Sequence, residues 1–275
     1  MLRRLLICCL CLPGPCPAEP QPLFDAHLHY TSADAEQLGP AEIVDLLRDD
    51  GVERALVSGT PPGLAARLQR HDPGLILPLL GVYQTPGDKQ DWHRDPELPD
   101  RVAAWLQQGD WRGIGELHLF APQRHSPVFQ AIARLAVQHR LPLLLHTDPA
   151  VIDSLFERLP EVQVIWAHAG AYPYPPLLAD YLARYPNLHV DLSMRDQRIA
   201  PDGSLDPEWE DLLLEYSERF LVGADTYRSE RWHNYSQASA RIRQWLVQLP
   251  PEVAEALARG NARRLFGESG INNGQ

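Results

Sequence analysis

The sequence predicts an α/β protein of one domain, a (β/α)8 TIM barrel. Eight short apolar runs alternate with segments whose apolar residues recur at helical spacing. Several of these runs are almost continuously apolar, as in parallel strands that are buried on both faces. The length of 275 residues also suits this fold, since such barrels occupy about 250 residues as one unit. The alternative, an open doubly wound sheet, is disfavoured because no glycine-rich phosphate loop follows the first run.

The predicted strands are separated by stretches long enough for a helix to return the chain to the same end of the sheet. They cover residues 23–30, 54–60, 75–83, 113–120, 141–147, 162–170, 188–194 and 220–227. Residues typical of helix termini mark two of the connections. Gly51 follows a helix at 41–50, and Asp148 with Pro149 opens another. Further helices are predicted at 128–139, 207–217, 236–249 and 252–266.

Residues 1–18 have the pattern of a secretory signal peptide. Arg3 and Arg4 precede a short apolar run, and Cys16 and Ala18 supply the small residues of a cleavage site after Ala18. We therefore expect a secreted or periplasmic protein, and a cytoplasmic one if this segment is not a signal. The barrel domain then spans 19–267 and a flexible tail spans 268–275. The mature chain would have no thiol chemistry, because the four cysteines all lie in the signal: Cys8, Cys9, Cys11 and Cys16.

The charge and hydropathy of the chain limit the kinds of partner that it is expected to bind. The chain has 36 acidic residues against 25 Lys and Arg, for a net charge of −11. Because a phosphate backbone requires a basic surface, we do not expect a nucleic acid partner. No run beyond the N-terminus approaches the ~20 apolar residues that span a bilayer. A small-molecule substrate is the expected partner, and nothing in the sequence indicates an oligomeric state.

Ionisable side chains recur near the C-terminal ends of the predicted strands, where TIM barrels carry their catalytic groups. His27 and His29 are two residues apart in the first strand. Both imidazoles therefore project to the same face, which suits two nitrogens that bind one metal ion. Glu116 and His118 have the same spacing late in the fourth strand.

Three more polar residues end their strands: His146, His168 and Asp225. A single buried histidine is more often a hydrogen-bonded core residue than a ligand, and a single aspartate is often a helix N-cap. Together with His27 and His29, these make five such groups at one end of a barrel. They are harder to explain as structure, because burying them unpaired costs several kcal/mol each. A metal ion would satisfy them together, so the sequence predicts a metal centre.

The chain resembles the amidohydrolase superfamily, and most closely its amidohydrolase-related branch, the amidohydrolase 2 family. The resemblance extends from about residue 23 to 267. It rests on motifs in this order: FDAHLH (24–29), GIGELHL (113–119), LLLHT (143–147), WAHAG (166–170), YPNLHVDLS (185–193), LVGADTY (221–227) and GNARRLFG (260–267). The family implies a metal-dependent TIM-barrel hydrolase.

The resemblance also implies roles for individual residues. His27, His29 and His146 would be metal ligands. Asp225 would bind the metal and act as the general base on its water. His168 would be either a ligand or the group that polarises the substrate. The expected cofactor is a divalent ion, Zn²⁺ before manganese or iron.

Two departures from the family pattern affect the site. Many binuclear members carry a carboxylated lysine at the end of strand 4, but the single lysine here is Lys89, outside that strand. Glu116 would replace it as a glutamate at the end of strand 4 does in the TatD-like branch, which would give two metal ions rather than one. Glu116 would otherwise support a ligand histidine from outside the coordination sphere. Tyr227 stands where related chains often have proline.

The sequence therefore predicts hydrolysis of an ester, lactone or amide bond in a small molecule. A non-oxidative decarboxylase of the same branch is the alternative, for which Arg195 and Arg228 would hold a carboxylate. A TatD-like phosphodiesterase is a third hypothesis, and an inactive metal-binding barrel is disfavoured because the complete residue set is present. Trp92, in the long segment after the third strand, is a further candidate for substrate binding.

Overall fold

The computed structural model describes residues 21–267, which form a barrel of parallel strands. The strands in this range are β1 (Leu23–Thr31), β2 (Val52–Thr60), β3 (Ile76–Leu79), β4 (Ile114–His118), β5 (Leu143–His146), β6 (Val164–Trp166), β7 (Leu188–Asp191) and β8 (Phe220–Leu221). Every pairing between neighbouring strands is parallel. The alternation of parallel strands and helices confirms the predicted TIM barrel.

Backbone hydrogen bonds close the ring where the ladders are short. Strands β1–β3 and β4–β8 form two ladders, and the pairing of Leu80 with Ile114 joins them. On the other side, the amide of Ala26 donates to the carbonyl of Val222 at 2.8 Å. This bond connects β1 to the segment after β8. Closure brings the C-terminal ends of the strands to one face of the barrel.

Helices surround the strands on the outside. In the described residues they are α1 (Ser32–Ala35), α2 (Pro40–Asp49), α3 (Gly63–His71), α4 (Leu98–Leu106), α5 (Pro127–His139), α6 (Pro149–Arg158), α7 (Pro175–Arg184), α8 (Asp196–Ile199), α9 (Pro207–Glu215), α10 (Ser229–His233), α11 (Tyr235–Leu246), α12 (Pro251–Glu255) and α13 (Asn261–Phe266). The predicted caps are present: Asp148 accepts a bond from the Val151 amide, and Gly51 ends α2 at φ 73°.

The structure departs from the sequence prediction in its details. Helices α3, α4 and α7 were not among the predicted helices, and the predicted helix at 252–266 is divided by a π-type turn at Ala256–Gly260. Strands β6 and β8 are shorter than expected. The chain turns after each of them, through His168 at φ 58° and Asp225 at φ 54°. These left-handed residues end the strands and redirect the side chains that follow.

The lower part of the barrel interior is apolar. Its buried side chains come from most of the strands and from the last helix: Phe24, Ala26, Leu56, Leu77, Leu79, Leu144, Ile165, Ala167, Leu221, Ala262 and Phe266. Phe266 of α13 stacks on Phe24, with ring centroids 5.9 Å apart, and so covers the N-terminal end. Polar side chains are thereby confined mainly to the upper layers.

Two groups of predictions lie partly or wholly outside the described range. The signal peptide at 1–18 and the tail at 268–275 fall on residues whose structure is not described, so the predicted limits of the barrel domain at 19 and 267 stay predictions. Within residues 21–267, no helix combines the length and apolar character needed to cross a membrane.

Candidate metal centre

Seven ionisable side chains converge at the C-terminal face of the barrel. They comprise five histidines and two carboxylates: His27, His29, Glu116, His118, His146, His168 and Asp225. All the residues predicted as ligands are in this cluster, together with His168. Their roles as ligands stay predictions, because what the geometry gives is their proximity.

The two histidines of β1 project to the same side, as their spacing predicts. His27 Nε2 and His29 Nε2 are 3.1 Å apart. Two ligands about 2.1 Å from one ion, at angles near those of a tetrahedron or octahedron, lie roughly 3.0–3.4 Å apart. The observed separation fits this requirement. The backbone of His29 is held in place by Thr226, whose hydroxyl accepts from the His29 amide at 2.8 Å.

Glu116 occupies the middle of the cluster and is 3% exposed. Its Oε1 atom is 3.0 Å from His146 Nδ1 and 3.2 Å from His168 Nε2. Its Oε2 atom is 3.3 Å from His118 Nε2 and 3.5 Å from His29 Nε2. The carboxylate therefore faces donors on both sides.

Gly115 makes this position of Glu116 possible. It has φ 144°, and a Cβ atom there would lie 2.4 Å from the carbonyl oxygen of Leu144. Only glycine allows β4 to approach β5 this closely with that backbone conformation. The pairing of β4 with β5 also shifts register between Gly115 and Leu117.

Asp225 supplies the clearest test of whether a cation fits. Its side chain is buried, and Oδ1 has no hydrogen-bond partner in the described part of the chain. That oxygen is 3.4 Å from His29 Nε2 and 4.0 Å from His27 Nε2. A buried carboxylate oxygen without a donor is costly, and a divalent ion between it and the two imidazoles would satisfy all three. The metal that the resemblance implies therefore fits these residues.

Electrostatics favour added positive charge in the cluster. Burial opposes the charged form of His27, but the carboxylate of Asp191, followed by Glu116 and Asp225, outweighs it and raises the pKa of His27 to about 10. Burial likewise opposes ionisation of Glu116, yet the surrounding histidines hold its pKa well below the usual range. A bound cation would replace the proton on His27, since imidazole ligands bind metals in the neutral form.

Asp191 connects two of the histidines from outside the cluster. Its Oδ2 atom is 2.8 Å from His27 Nδ1 and accepts from the His168 amide at 3.1 Å. Ser193 donates to the same oxygen, and its Oγ lies 2.9 Å from His168 Nδ1. Burial would raise the pKa of Asp191, but His27 outweighs it and lowers the pKa to about 2. The carboxylate orients ligand rings in the way common around metal sites.

His118 is a member of the cluster that the sequence analysis did not assign to the site. Its Nδ1 is 3.3 Å from the Tyr83 hydroxyl, and its ring stacks on that of His146 at 4.6 Å between centroids. Burial lowers the pKa of His118 to about 3 despite the nearby Glu116. The signal that points to it is the Glu116-x-His118 spacing, which repeats the spacing of His27 and His29.

The three residues predicted to contact substrate are already engaged in protein contacts. Arg195 donates from Nε to the His168 carbonyl at 2.6 Å and from Nη2 to the Gly170 carbonyl at 3.4 Å. Trp92 is buried, and its Nε1 donates to the His118 carbonyl at 2.9 Å. Arg228 lies over the ring of Tyr227 at 5.2 Å. Their contact with substrate stays a prediction.

Comparison with known families decides the classification. The model of the family described as Amidohydrolase matches residues 92–267, which is more than half of the chain. The chain belongs to the Amidohydrolase family. Comparison with curated proteins finds no match.

Solved structures agree with the fold of this amidohydrolase. A probable 2-pyrone-4,6-dicarboxylic acid hydrolase from Acinetobacter baumannii with bound citric acid is 15% identical, with a TM-score of 0.61, covering 89% of this chain and 99% of its own. An amidohydrolase from Burkholderia multivorans with bound zinc is 16% identical, with a TM-score of 0.59 and coverage of 89% and 98%. A TatD homologue from Escherichia coli K12 is 17% identical, with a TM-score of 0.62 and coverage of 89% and 97%.

These findings settle the function at the level of the superfamily. The protein is an enzyme, a metal-dependent hydrolase of the amidohydrolase superfamily, with buried histidine and carboxylate groups suited to a divalent metal. At these identities the solved structures support the fold alone. They leave the substrate to be argued from the site.

Proposed function

We propose that this amidohydrolase hydrolyses an ester, lactone or amide bond in a small molecule, with Asp225 as the general base. The observation that carries the proposal is the buried Oδ1 of Asp225, which has no hydrogen-bond partner among the described residues and lies 3.4 Å from His29 Nε2. With Oδ1 placed to bind the cation beside two imidazoles, the other oxygen of the carboxylate, Oδ2, would take a proton from a nucleophile.

The proposed metal donors are the two histidines of β1, two groups on β4 and β5, and the aspartate after β8. They are His27, His29, Glu116, His146 and Asp225. A divalent ion bound within this set, most simply Zn²⁺, would lower the pKa of a water molecule to near 7 and polarise a carbonyl group. Neutral imidazole nitrogens combined with carboxylate oxygens are typical zinc ligands. The same kind of donor set also binds other divalent ions.

The chain's own residues would then carry out the proton transfers. Asp225 would accept the proton of the attacking water and return it to the leaving alcohol or amine, since one carboxylate can serve both steps. His168 Nε2 lies 3.2 Å from Glu116 Oε1, and with both ring nitrogens protonated it would donate a hydrogen bond to the developing oxyanion. Its ring is held by Ser193 at Nδ1, so its orientation does not depend on the substrate.

The decarboxylase alternative gains less support. It requires a cationic clamp for a carboxylate, and Arg195 already directs Nε and Nη2 to backbone carbonyls. Arg228 remains the better candidate, because its contact is with an aromatic face rather than with a hydrogen-bond acceptor. The phosphodiesterase alternative is favoured only by the central position of Glu116, which faces donors on both sides.

The test is a substrate screen on protein reconstituted with Zn²⁺, Mn²⁺ or Co²⁺ after chelator treatment. The panel contains aryl esters, lactones, anilides, a bis-aryl phosphodiester and ring carboxylic acids followed by carbon dioxide release. We expect turnover of an ester, lactone or amide only after metal is added. Asp225→Asn should lower kcat by roughly 10²–10⁴-fold, the range of general base catalysis.

Asp211→Asn, at an exposed position of α9, is the matched control and should retain full activity. Carbon dioxide release without acyl hydrolysis would replace the proposal with the decarboxylase. Phosphodiester hydrolysis alone would replace it with the TatD-like activity. Full activity in the presence of excess chelator would overturn the metal-dependent mechanism.

We also propose export of the protein through residues 1–18. The N-terminal residue of the protein recovered from outside the cytoplasm tests this, and cleavage after Ala18 is the expected result. Recovery of the intact N-terminus from the cytoplasm alone would contradict it.

A further inference from the structure

His118 is the histidine of the cluster that the proposed reaction does not use. It lies on β4, two residues after Glu116, and its partner across the ladder is His146 on β5. Its ring is 19% exposed at the side chain, whereas the Glu116 side chain is 4% exposed. The ring thus lines the accessible edge of the cluster, with Nε2 directed at the buried carboxylate.

The donor atoms around His118 have the spacing of ligands on one ion. His118 Nε2 is 3.3 Å from Glu116 Oε2, and His146 Nδ1 is 3.0 Å from Glu116 Oε1. All three residues offer donor atoms within 4.8 Å of one another. Ligands about 2.1 Å from a first-row divalent ion lie at roughly these separations. Two imidazoles and a carboxylate are a common donor set for such ions.

The cluster also contains another set of metal donors, which includes none of Glu116, His118 and His146. His27, His29 and Asp225 also place donor atoms within 4.8 Å of one another. The two sets share no residue. One ion bound at either set would leave three donors of the other set without a cation. Glu116 Oε2 lies near the Nε2 atoms of both His29 and His118. The carboxylate therefore stands between the two donor sets.

The surroundings of His118 hold its ring in place. The Tyr83 hydroxyl accepts from the His118 amide at 2.8 Å and lies 3.3 Å from Nδ1 of the same residue. The indole Nε1 of Trp92 donates to the His118 carbonyl. A hydrogen-bond partner on the second ring nitrogen is the usual way in which proteins orient a ligand histidine. Nε2 is thereby left for the cluster.

We propose that His118 is a metal ligand, and that Glu116, His118 and His146 bind a second divalent transition-metal ion beside the one bound by His27, His29 and Asp225. The inference rests on the metal centre of the proposed function and extends it to two ions. The competing arrangement is a second ion bound by His27, Glu116 and His168, which also form a compact set. The two arrangements differ in whether His118 contacts the ion.

The test counts metal ions per chain. Wild-type protein is saturated with Zn²⁺, freed of excess ion by gel filtration and analysed by elemental mass spectrometry and calorimetric titration. We expect two ions per chain in the wild type and one in His118→Ala. In the calorimetric titration, the weaker of the two binding steps should be at least about tenfold weaker in the variant than in the wild type. Losing a residue that only supports a ligand already costs roughly 10–100-fold in affinity.

Further variants separate the two positions. His29→Ala should also retain one ion, and the double variant His29→Ala/His118→Ala should retain none. His71→Ala, at an exposed histidine of α3, is the matched control and should bind two ions. Near-ultraviolet circular dichroism of each variant checks that the fold is retained.

A measurement on the wild type keeps the test independent of variant folding. Anomalous diffraction at the zinc edge should show two peaks, one of them within bonding distance of His118 Nε2. A second peak bounded by His27 and His168 without His118 would overturn the inference. So would one ion per chain that His118→Ala retains at unchanged affinity, and the proposed function would then still stand. No bound metal in the wild type would overturn both.

Discussion

Asp191 Oδ2 lies 2.8 Å from Nδ1 of His27, and both side chains are completely buried. The contact fixes which nitrogen of His27 faces the cluster, because Nδ1 is engaged with the carboxylate and Nε2 is left for a metal ion. The same oxygen also holds the backbone of His168. One carboxylate outside the cluster thus orients groups from β1 and from the turn after β6.

We expect Asp191→Asn to weaken metal binding by roughly 10–100-fold, the cost commonly found when a partner of a ligand histidine is replaced. The amide keeps the shape of the carboxylate but removes the charge that favours the Nδ1–H form of His27. Competition titration with a chromophoric chelator measures the affinity. Asp211→Asn, at an exposed site, should bind metal as the wild type does. Unchanged affinity in Asp191→Asn would restrict Asp191 to a role in folding.

Gly115→Ala should displace β4 and with it Glu116. The added Cβ would lie 2.4 Å from the Leu144 carbonyl, and the φ of 144° is unfavourable for alanine. We expect a loss of about 1–3 kcal/mol in the free energy of unfolding, as for other overpacked positions. Chemical denaturation measures it, and elemental analysis should show less bound metal.

Gly63→Ala is the control for that substitution. Gly63 begins α3, and a Cβ there meets no atom within 4 Å. Its unfolding free energy should stay within about 0.5 kcal/mol of the wild type. Equal effects of the two substitutions would show that the approach of β4 to β5 does not limit stability.

Arg231→Lys should disturb the position of Asp225. The guanidinium of Arg231 donates from Nε to the Asp225 carbonyl and from Nη2 to that of Ala224. These two hydrogen bonds hold the left-handed backbone turn at Asp225. Lysine cannot replace them, because it lacks the two donors in fixed geometry that a guanidinium provides. We expect roughly tenfold weaker metal binding, at the low end of the cost of removing a supporting residue, with the barrel still folded.

Arg241→Lys, at an exposed position of α11, is the matched substitution and should leave metal affinity unchanged. Circular dichroism of both variants monitors the fold. If Arg231→Lys bound metal as tightly as Arg241→Lys, the turn at Asp225 would be maintained by the rest of the chain.

Much of the fold and the cluster could be predicted because the signals are local. Alternation of apolar runs with helical spacing predicted the barrel, and a period of two predicted that His27 and His29 share a face. The same period links Glu116 and His118, so the information about His118 was present. The spacing alone does not assign His118 a role, because one histidine in an apolar strand is more often a core residue.

Other features depend on long-range contacts that no local pattern encodes. The left-handed turns at His168 and Asp225 shorten β6 and β8, and they follow from how the surrounding strands and Arg231 hold the backbone. Trp92 is buried and donates a hydrogen bond to the His118 carbonyl from a distant segment, while its predicted contact with substrate stays a prediction. Such pairings become visible only when the barrel is closed.

His189 predicts how stability depends on pH. It lies on β7, its Nδ1 has no hydrogen-bond partner among the described residues, and burial with the nearby Arg219 and Arg264 lowers its pKa to about 4. The unfolded chain has the ordinary value near 6.5. Between about pH 6.5 and 4 the unfolded state therefore binds more protons, and stability falls as the pH falls through this window.

Across that window His189 should account for a loss on the order of 2–3 kcal/mol, because each pKa unit corresponds to about 1.4 kcal/mol. In His189→Asn the free energy of unfolding should fall less steeply between pH 6.5 and 4, whatever its value at neutral pH. Urea denaturation in excess chelator measures both slopes, which removes the contribution of metal binding. His71→Asn should keep the wild-type slope, since its side chain is exposed. Parallel curves for His189→Asn and the wild type would mean that His189 does not titrate differently on folding.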